Sequence, residues 1–213
     1  MDVFMMIPLD VALTFLFASV VLALVPGPDN IFVLTQSALH GRRSGIAVVF
    51  GLCTGVIFHS CAVALGVAVI FQTSALAFTV LKFLGAAYLA YLAWLSFRTK
   101  GSPLVAGEGL EQDRWKLYRR GILMSITNPK VSIFFLAFLP QFADPARGPV
   151  SLAVLLLGAL FMCSTVVIFG LIALLAGSLG EYLHRSKNVQ VWLHKIAGTV
   201  YLGLAVKLAL LER

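Results

Sequence analysis

Apolar residues along this chain gather into six long runs separated by short polar or basic segments. They cover Leu9 to Val25 with an extension to Leu39, Gly45 to Phe71, Ala75 to Phe97, Gly121 to Phe142, Val150 to Gly177 and Val189 to Leu211. A helix needs about 17 to 25 apolar residues to cross the hydrocarbon core, so each run predicts a transmembrane helix. Two of the runs are interrupted. Pro26-Gly27-Pro28-Asp29-Asn30 breaks the first and Thr127-Asn128-Pro129-Lys130 breaks the fourth, each placing a lone charge beside helix-breaking proline. Proline removes a backbone donor and clashes with the preceding turn, so both helices should be kinked or unwound there. Irregular backbone and ionisable groups persist at membrane depth only where protein or a water-filled cavity accommodates them, which makes the two breaks the leading site candidates.

Composition supports the same class. Of 213 residues 60% are hydrophobic and 12% charged, with mean hydropathy +0.97, against about 25% charged in a soluble domain. The first run is expected to be retained rather than cleaved as a signal. The residues before it include no Lys or Arg and do include Asp2, and the run ends in a Pro-Gly-Pro turn, not a small-residue cleavage site. With six spans, one side collects Arg42, Arg43, Arg98, Lys100, Arg114, Lys116, Arg119, Arg120, Arg185 and Lys187, while the other has little beyond Arg147, Lys207 and Arg213. Positive residues accumulate in cytoplasmic loops, so both termini are expected outside the cytoplasm. The net charge of +7 is then accounted for by topology and anionic lipid, and no nucleic-acid partner is implied.

An internal repeat suggests the architecture. Lys82, Gly85, Tyr88 and Leu89 in the third run match Lys195, Gly198, Tyr201 and Leu202 in the sixth, as K-x-x-G-x-x-Y-L. The two breaks keep the same register, and Leu9-Asp10 and Leu110-Glu111 lie equally far upstream of Pro28 and Pro129. The expectation is an all-α integral membrane protein with six transmembrane helices, built as two inverted three-helix repeats. Repeat 1 spans about 1–100 and repeat 2 about 110–213, with helices 1 and 4 broken, in one transporter domain over 1–213.

Asp29 and Lys130 then become equivalent positions of opposite charge. They could receive the ammonium and carboxylate of a small zwitterionic substrate, or pair with each other and hold the halves together. Asp29 is also a candidate carrier of a coupling proton, H+, since a membrane-depth carboxylate can exchange one. Asn30 and Asn128 could bind substrate or cap the half-helices, with capping the commoner role for Asn. Lys82 and Lys195 could snorkel to the headgroups or line the cavity. His59 could relay protons or form a structural hydrogen bond. Gly51-Leu-Cys-Thr-Gly55 is a GxxxG that permits close helix approach, within a subunit or between subunits of a homo-oligomer. The segment Glu111 to Arg120 carries Trp, Tyr and basic residues and reads as an amphipathic lead-in to the fourth helix.

Several chemistries lose support. Cys53, Cys61 and Cys163 form no C-x-x-C and have no His or Cys at ligand spacing, so neither a structural metal nor a cofactor is expected. No G-x-x-x-x-G-K-[ST] is present, so this chain does not hydrolyse ATP through a P-loop. Intramembrane hydrolysis would want a second deep aspartate or a Ser/His pair, so no enzyme is expected. A divalent-cation exporter or a membrane thiol-redox conduit of similar architecture stands as the alternative.

Pro26-Gly27-Pro28-Asp29-Asn30, with Gly41-Arg42-Arg43-Ser44-Gly45 and Thr127-Asn128-Pro129-Lys130, resembles the lysine exporter and homoserine/threonine resistance (LysE/RhtB) family of amino-acid exporters, over nearly the whole chain. The resemblance implies a six-helix bacterial inner-membrane protein that expels amino acids or close derivatives, in exchange for protons or driven by membrane potential. The family's two proline motifs map onto Pro26 to Asn30 and Asn128 to Lys130. The resemblance does not choose among basic, hydroxylated, sulfur-containing or branched amino acids.

Overall fold

A computed structural model describes residues 6–25, 27–73, 75–98, 113–185 and 187–210, and among these no strand occurs. The helices are α1 (Leu9–Leu24), α2 (Pro28–His40), α3 (Arg42–Thr73), α4 (Ala75–Arg98), α5 (Arg114–Thr127), α6 (Pro129–Ile133), α7 (Val150–Arg185) and α8 (Lys187–Leu210). From α6 the chain runs through a π-helical turn, Phe134–Phe138, and a 3-10 turn, Leu139–Phe142. Among the described residues two stretches are long and apolar enough to cross a membrane, Arg42–Gly66 and Val150–Ala176. Two more qualify if each bent pair is one span: α1 with α2, inclined by 59°, and α5 with Pro129–Phe142, inclined by 51°. Both bends fall at the proline motifs, where the missing N–H and the ring clash predict them.

The helix of the fourth apolar run starts upstream of Gly121, at Arg114, so residues 114–120 of the basic aromatic lead-in form its first turns, while Glu111 and Gln112 lie outside the described residues. Asp113 caps α5 by accepting from the Trp115 N–H at 2.9 Å. Trp115 stacks on Tyr118 at 5.3 Å, and Arg120 lies over the Phe32 ring at 5.0 Å. Between α2 and α3, Gly41 turns the chain at φ +82°, a left-handed conformation in which a Cβ is penalised.

The GxxxG acts within the chain. Gly51 faces the Tyr118 carbonyl and the Gly121 Cα, and Gly55 faces Ser125 and the Ile122 carbonyl. Gly121 in turn faces the Val48 carbonyl, so α3 and α5 meet backbone to backbone and small residues on both sides permit it. α7 packs against α1, α2 and α3, while α4 packs against α8. The two K-x-x-G-x-x-Y-L segments therefore lie on partner helices. Gly198 accommodates the Phe97 ring, and Gly85 accommodates Ala137 and Leu208.

Aromatic rings dominate the larger core, with Phe15, Phe134, Phe135, Phe138 and Tyr201 fully buried. Leu65, Leu76, Phe17 and Phe50 are exposed in contrast. Apolar surface on that scale would be a liability in water and is the proper outer face in lipid.

Candidate functional site

α1 ends at Leu24, and Val25 closes it by donating its N–H to the Val21 carbonyl at 3.0 Å. The last carbonyls of a helix lack intrahelical donors, and proline at position 26 deprives the Leu22 carbonyl of the amide it would otherwise meet. Lys130, from the other break, supplies the donor. Its Nζ donates to the Leu22 carbonyl at 3.1 Å and to the Val25 carbonyl at 3.2 Å. A cation at a helix C-terminus is favoured by the partial negative charge there. Gly27 makes the approach possible: a Cβ at that position would lie 3.3 Å from the ammonium. Asn30 Nδ2 donates to the Ala23 carbonyl at 2.6 Å. Asn30 therefore closes the end of α1 rather than capping α2, whose N-cap Gly27 has no side chain to offer. Pro28 occupies the first turn of α2, where its missing N–H costs nothing. Pro26 lies outside the described residues.

The second break is closed by its own residues and by one from α3. Asn128 ends α5 and caps α6, its Oδ1 accepting from the Lys130 N–H at 3.0 Å. Pro129 takes the first turn of α6 and leaves the Ser125 carbonyl without its usual amide donor. That carbonyl accepts instead from the Asn128 N–H at 3.2 Å and from His59 Nε2 at 3.1 Å. Since a carbonyl can only accept, His59 carries its proton on Nε2. The ring is buried against Phe135 at 5.7 Å, which is the structural role for this histidine.

Asn128 also joins the breaks. Its Nδ2 donates to Asp29 Oδ2 at 2.6 Å, with Asp29 only 3% and Asn128 only 4% exposed. The two charges are thus held crosswise: Asp29 by the amide of the second break, Lys130 by the carbonyls of the first. Among the described residues Asp29 and Lys130 form no ion pair within 4.0 Å, so the link between the two breaks runs through Asn128 and the α1 carbonyls instead. Asp29 Oδ1 and Asn30 Oδ1 are buried with no protein partner among the described residues. Asp29, Lys130, Ser125 and Thr165 line a cavity of about 20 Å³, with Leu52 and Phe161 among its apolar walls. That volume holds about one water.

Lys82 does not line this cavity. Its Nζ lies over the Phe83 ring at 4.7 Å. Lys195 is exposed, over the Trp192 ring at 5.3 Å, as a snorkelling lysine would be. Sequence reading passed over Ser125, Thr165 and Phe161. Ser125 was within reach of a simple rule, because it stands four residues before Pro129 and must lose its donor. Thr165 and Phe161 come from α7, which carries no break and no charge over these turns, and nothing local marks them.

The LysE type translocator family profile matches residues 20–212. The chain is 33% identical over 195 residues to the homoserine/homoserine lactone efflux protein of Salmonella typhimurium, covering 92% of this chain and 94% of that one. It is 32% identical over 201 residues to an uncharacterized membrane protein of Vibrio cholerae serotype O1, covering 94% and 97%. No solved structure matches it. With bent, apolar helix pairs at both proline motifs and a family match across nearly all of its length, this chain is a membrane translocator, not an enzyme, and belongs to the LysE-type translocator family.

Proposed function

We propose that this protein is a secondary-active exporter of amino acids or close derivatives across the bacterial inner membrane, coupled to the proton gradient, with the two crossed breaks as its substrate site. Six spans are counted by adding α4 and α8, each 24 residues and so about 36 Å long, to the two long helices and the two bent pairs. They form two inverted repeats, about 1–100 and 110–213, in one transporter domain, with both termini outside the cytoplasm.

The single observation that carries the reading is the crosswise holding of one acid and one base by the opposite break. A zwitterion can replace both halves of that arrangement. Its ammonium meets Asp29, which already has one oxygen without a partner, and its carboxylate draws Lys130 away from the α1 carbonyls. A cavity of about 20 Å³ is far below the roughly 300 Å³ of a small-molecule pocket, so substrate entry requires the two breaks to separate. Alternating access then follows from one half rocking against the other about these hinges. Asp29 carries the coupling proton, and its protonation weakens its hold on the ammonium, which ties release to the gradient.

Relatives named for homoserine and homoserine lactone efflux make these the first compounds to test. The deciding experiment compares growth protection and extracellular accumulation for a panel of amino acids, homoserine included, in cells with and without this protein. Export of at least one amino acid by the parent is expected, together with loss of gradient-driven export in inserted Asp29→Asn. Normal export by that variant would remove Asp29 from the mechanism.

A further inference from the structure

A larger cavity, about 400 Å³, shares no lining residue with the one at Asp29, and a run of aromatic rings connects the two linings. Phe161 lines the inner cavity, and Phe138 and Phe142 line the outer one. Phe134 links them: its ring centroid lies 5.4 Å from Phe161 and 4.9 Å from Phe138, which lies 4.9 Å from Phe142. The outer cavity is lined by Asp10 from the first turn of α1 and Lys207 from the last turn of α8. At its margin Asp144 and Arg147 neutralise each other at 3.3 Å. Asp10 and Lys207 have no ion-pair partner among the described residues; Lys207 lies over the Phe142 ring at 5.2 Å. Gln141 donates its amide to the Ala137 carbonyl at 3.3 Å, which leaves its Oε1 buried and without a partner.

We infer that this outer cavity is a second binding site for a zwitterionic amino acid. Asp10 and Gln141 Oε1 receive the ammonium, and Lys207 receives the carboxylate. The site repeats the one-acid, one-base chemistry of the inner breaks in a volume that already admits a small ligand. It rests on the export reading for its place in the cycle: substrate leaving the inner site passes the run of aromatic rings and pauses here before release. Binding in the cavity is measurable without transport.

Thr14 lines the same cavity. In a background with Cys53, Cys61 and Cys163 replaced by serine, Thr14→Cys is labelled in intact cells with a membrane-impermeant maleimide. Labelling from outside is expected, slowed by external homoserine. Homoserine lactone, which lacks the carboxylate for Lys207, should protect about tenfold less well, the effect of roughly 1.4 kcal/mol. Asp10→Asn and Lys207→Gln should each abolish protection, while Asp29→Asn keeps it. No labelling from outside, no protection by homoserine, protection surviving both outer substitutions, or its loss in Asp29→Asn would each overturn the inference. A phosphatidylethanolamine headgroup offers the same pair of charges. Protection in nanodiscs that follows that lipid without added amino acid would assign the cavity to lipid and overturn the amino-acid site. Failure of the parent to export any amino acid, with protection intact, would overturn the transport reading alone.

Discussion

The two proline breaks each bend a helix pair yet are stabilised in different ways. The second is closed without the first: Asn128 caps α6 with one end of its amide, and the Ser125 carbonyl is served from the break itself and from His59 of α3. The first draws on the second. Gly27 offers no cap, Asn30 serves the Ala23 carbonyl, and the Leu22 and Val25 carbonyls accept from Lys130 of the other break. Lys130 stands at the N-terminus of α6, where its own helix disfavours a cation, and finds compensation at the C-terminus of α1. Asp29 stands at the N-terminus of α2, where an anion is favoured, and its link across the breaks is one amide bond. The first break is therefore the conditional one, able to open once something else satisfies Lys130.

The largest effect should come from removing that dependence. Lys130→Met leaves two buried carbonyls without their charge-assisted donor and Asp29 without a nearby cation, a loss of about 3 kcal/mol or more. A fall in the melting temperature of the purified protein together with lost export is expected; unchanged stability would show that the carbonyl contacts are not structural. Exchanging the charges, Asp29→Lys with Lys130→Asp, should not rescue either property, because a carboxylate would then face the Leu22 and Val25 carbonyls. Full rescue would restore direct pairing as the link between the two breaks.

The asparagines separate the two breaks more finely. Asn128→Ala removes both a helix cap and the donor to a buried carboxylate, together about 2–4 kcal/mol. Asn30→Ala leaves the buried Ala23 carbonyl without its donor but also removes one unpartnered oxygen, so about 1–2 kcal/mol is expected. Equal effects in thermal unfolding would mean that the breaks are not different in kind. The smallest stability change, within about 1 kcal/mol, belongs to Asp29→Asn, which keeps an oxygen to accept from Asn128. Its export defect should be complete, so that function and stability part at this residue.

Membrane class, the six apolar runs and both breaks were legible in the sequence because each follows from local chemistry. Lipid demands long apolar helices, and proline removes its own donor wherever it stands. The capping role of Asn128 was legible for the same reason. The partner of Lys130 was not. Charge alone suggested Asp29, but carbonyls at a broken helix end also lack donors, and those of Leu22 and Val25 accept from the ammonium. Which of them lay within reach depended on how two segments more than a hundred residues apart came together. The GxxxG at Gly51 and Gly55 likewise announced close approach without naming its partner. Only the packed bundle set α5 against it, and only the bundle brought Asp10 and Lys207, from opposite ends of the chain, to the margins of one cavity.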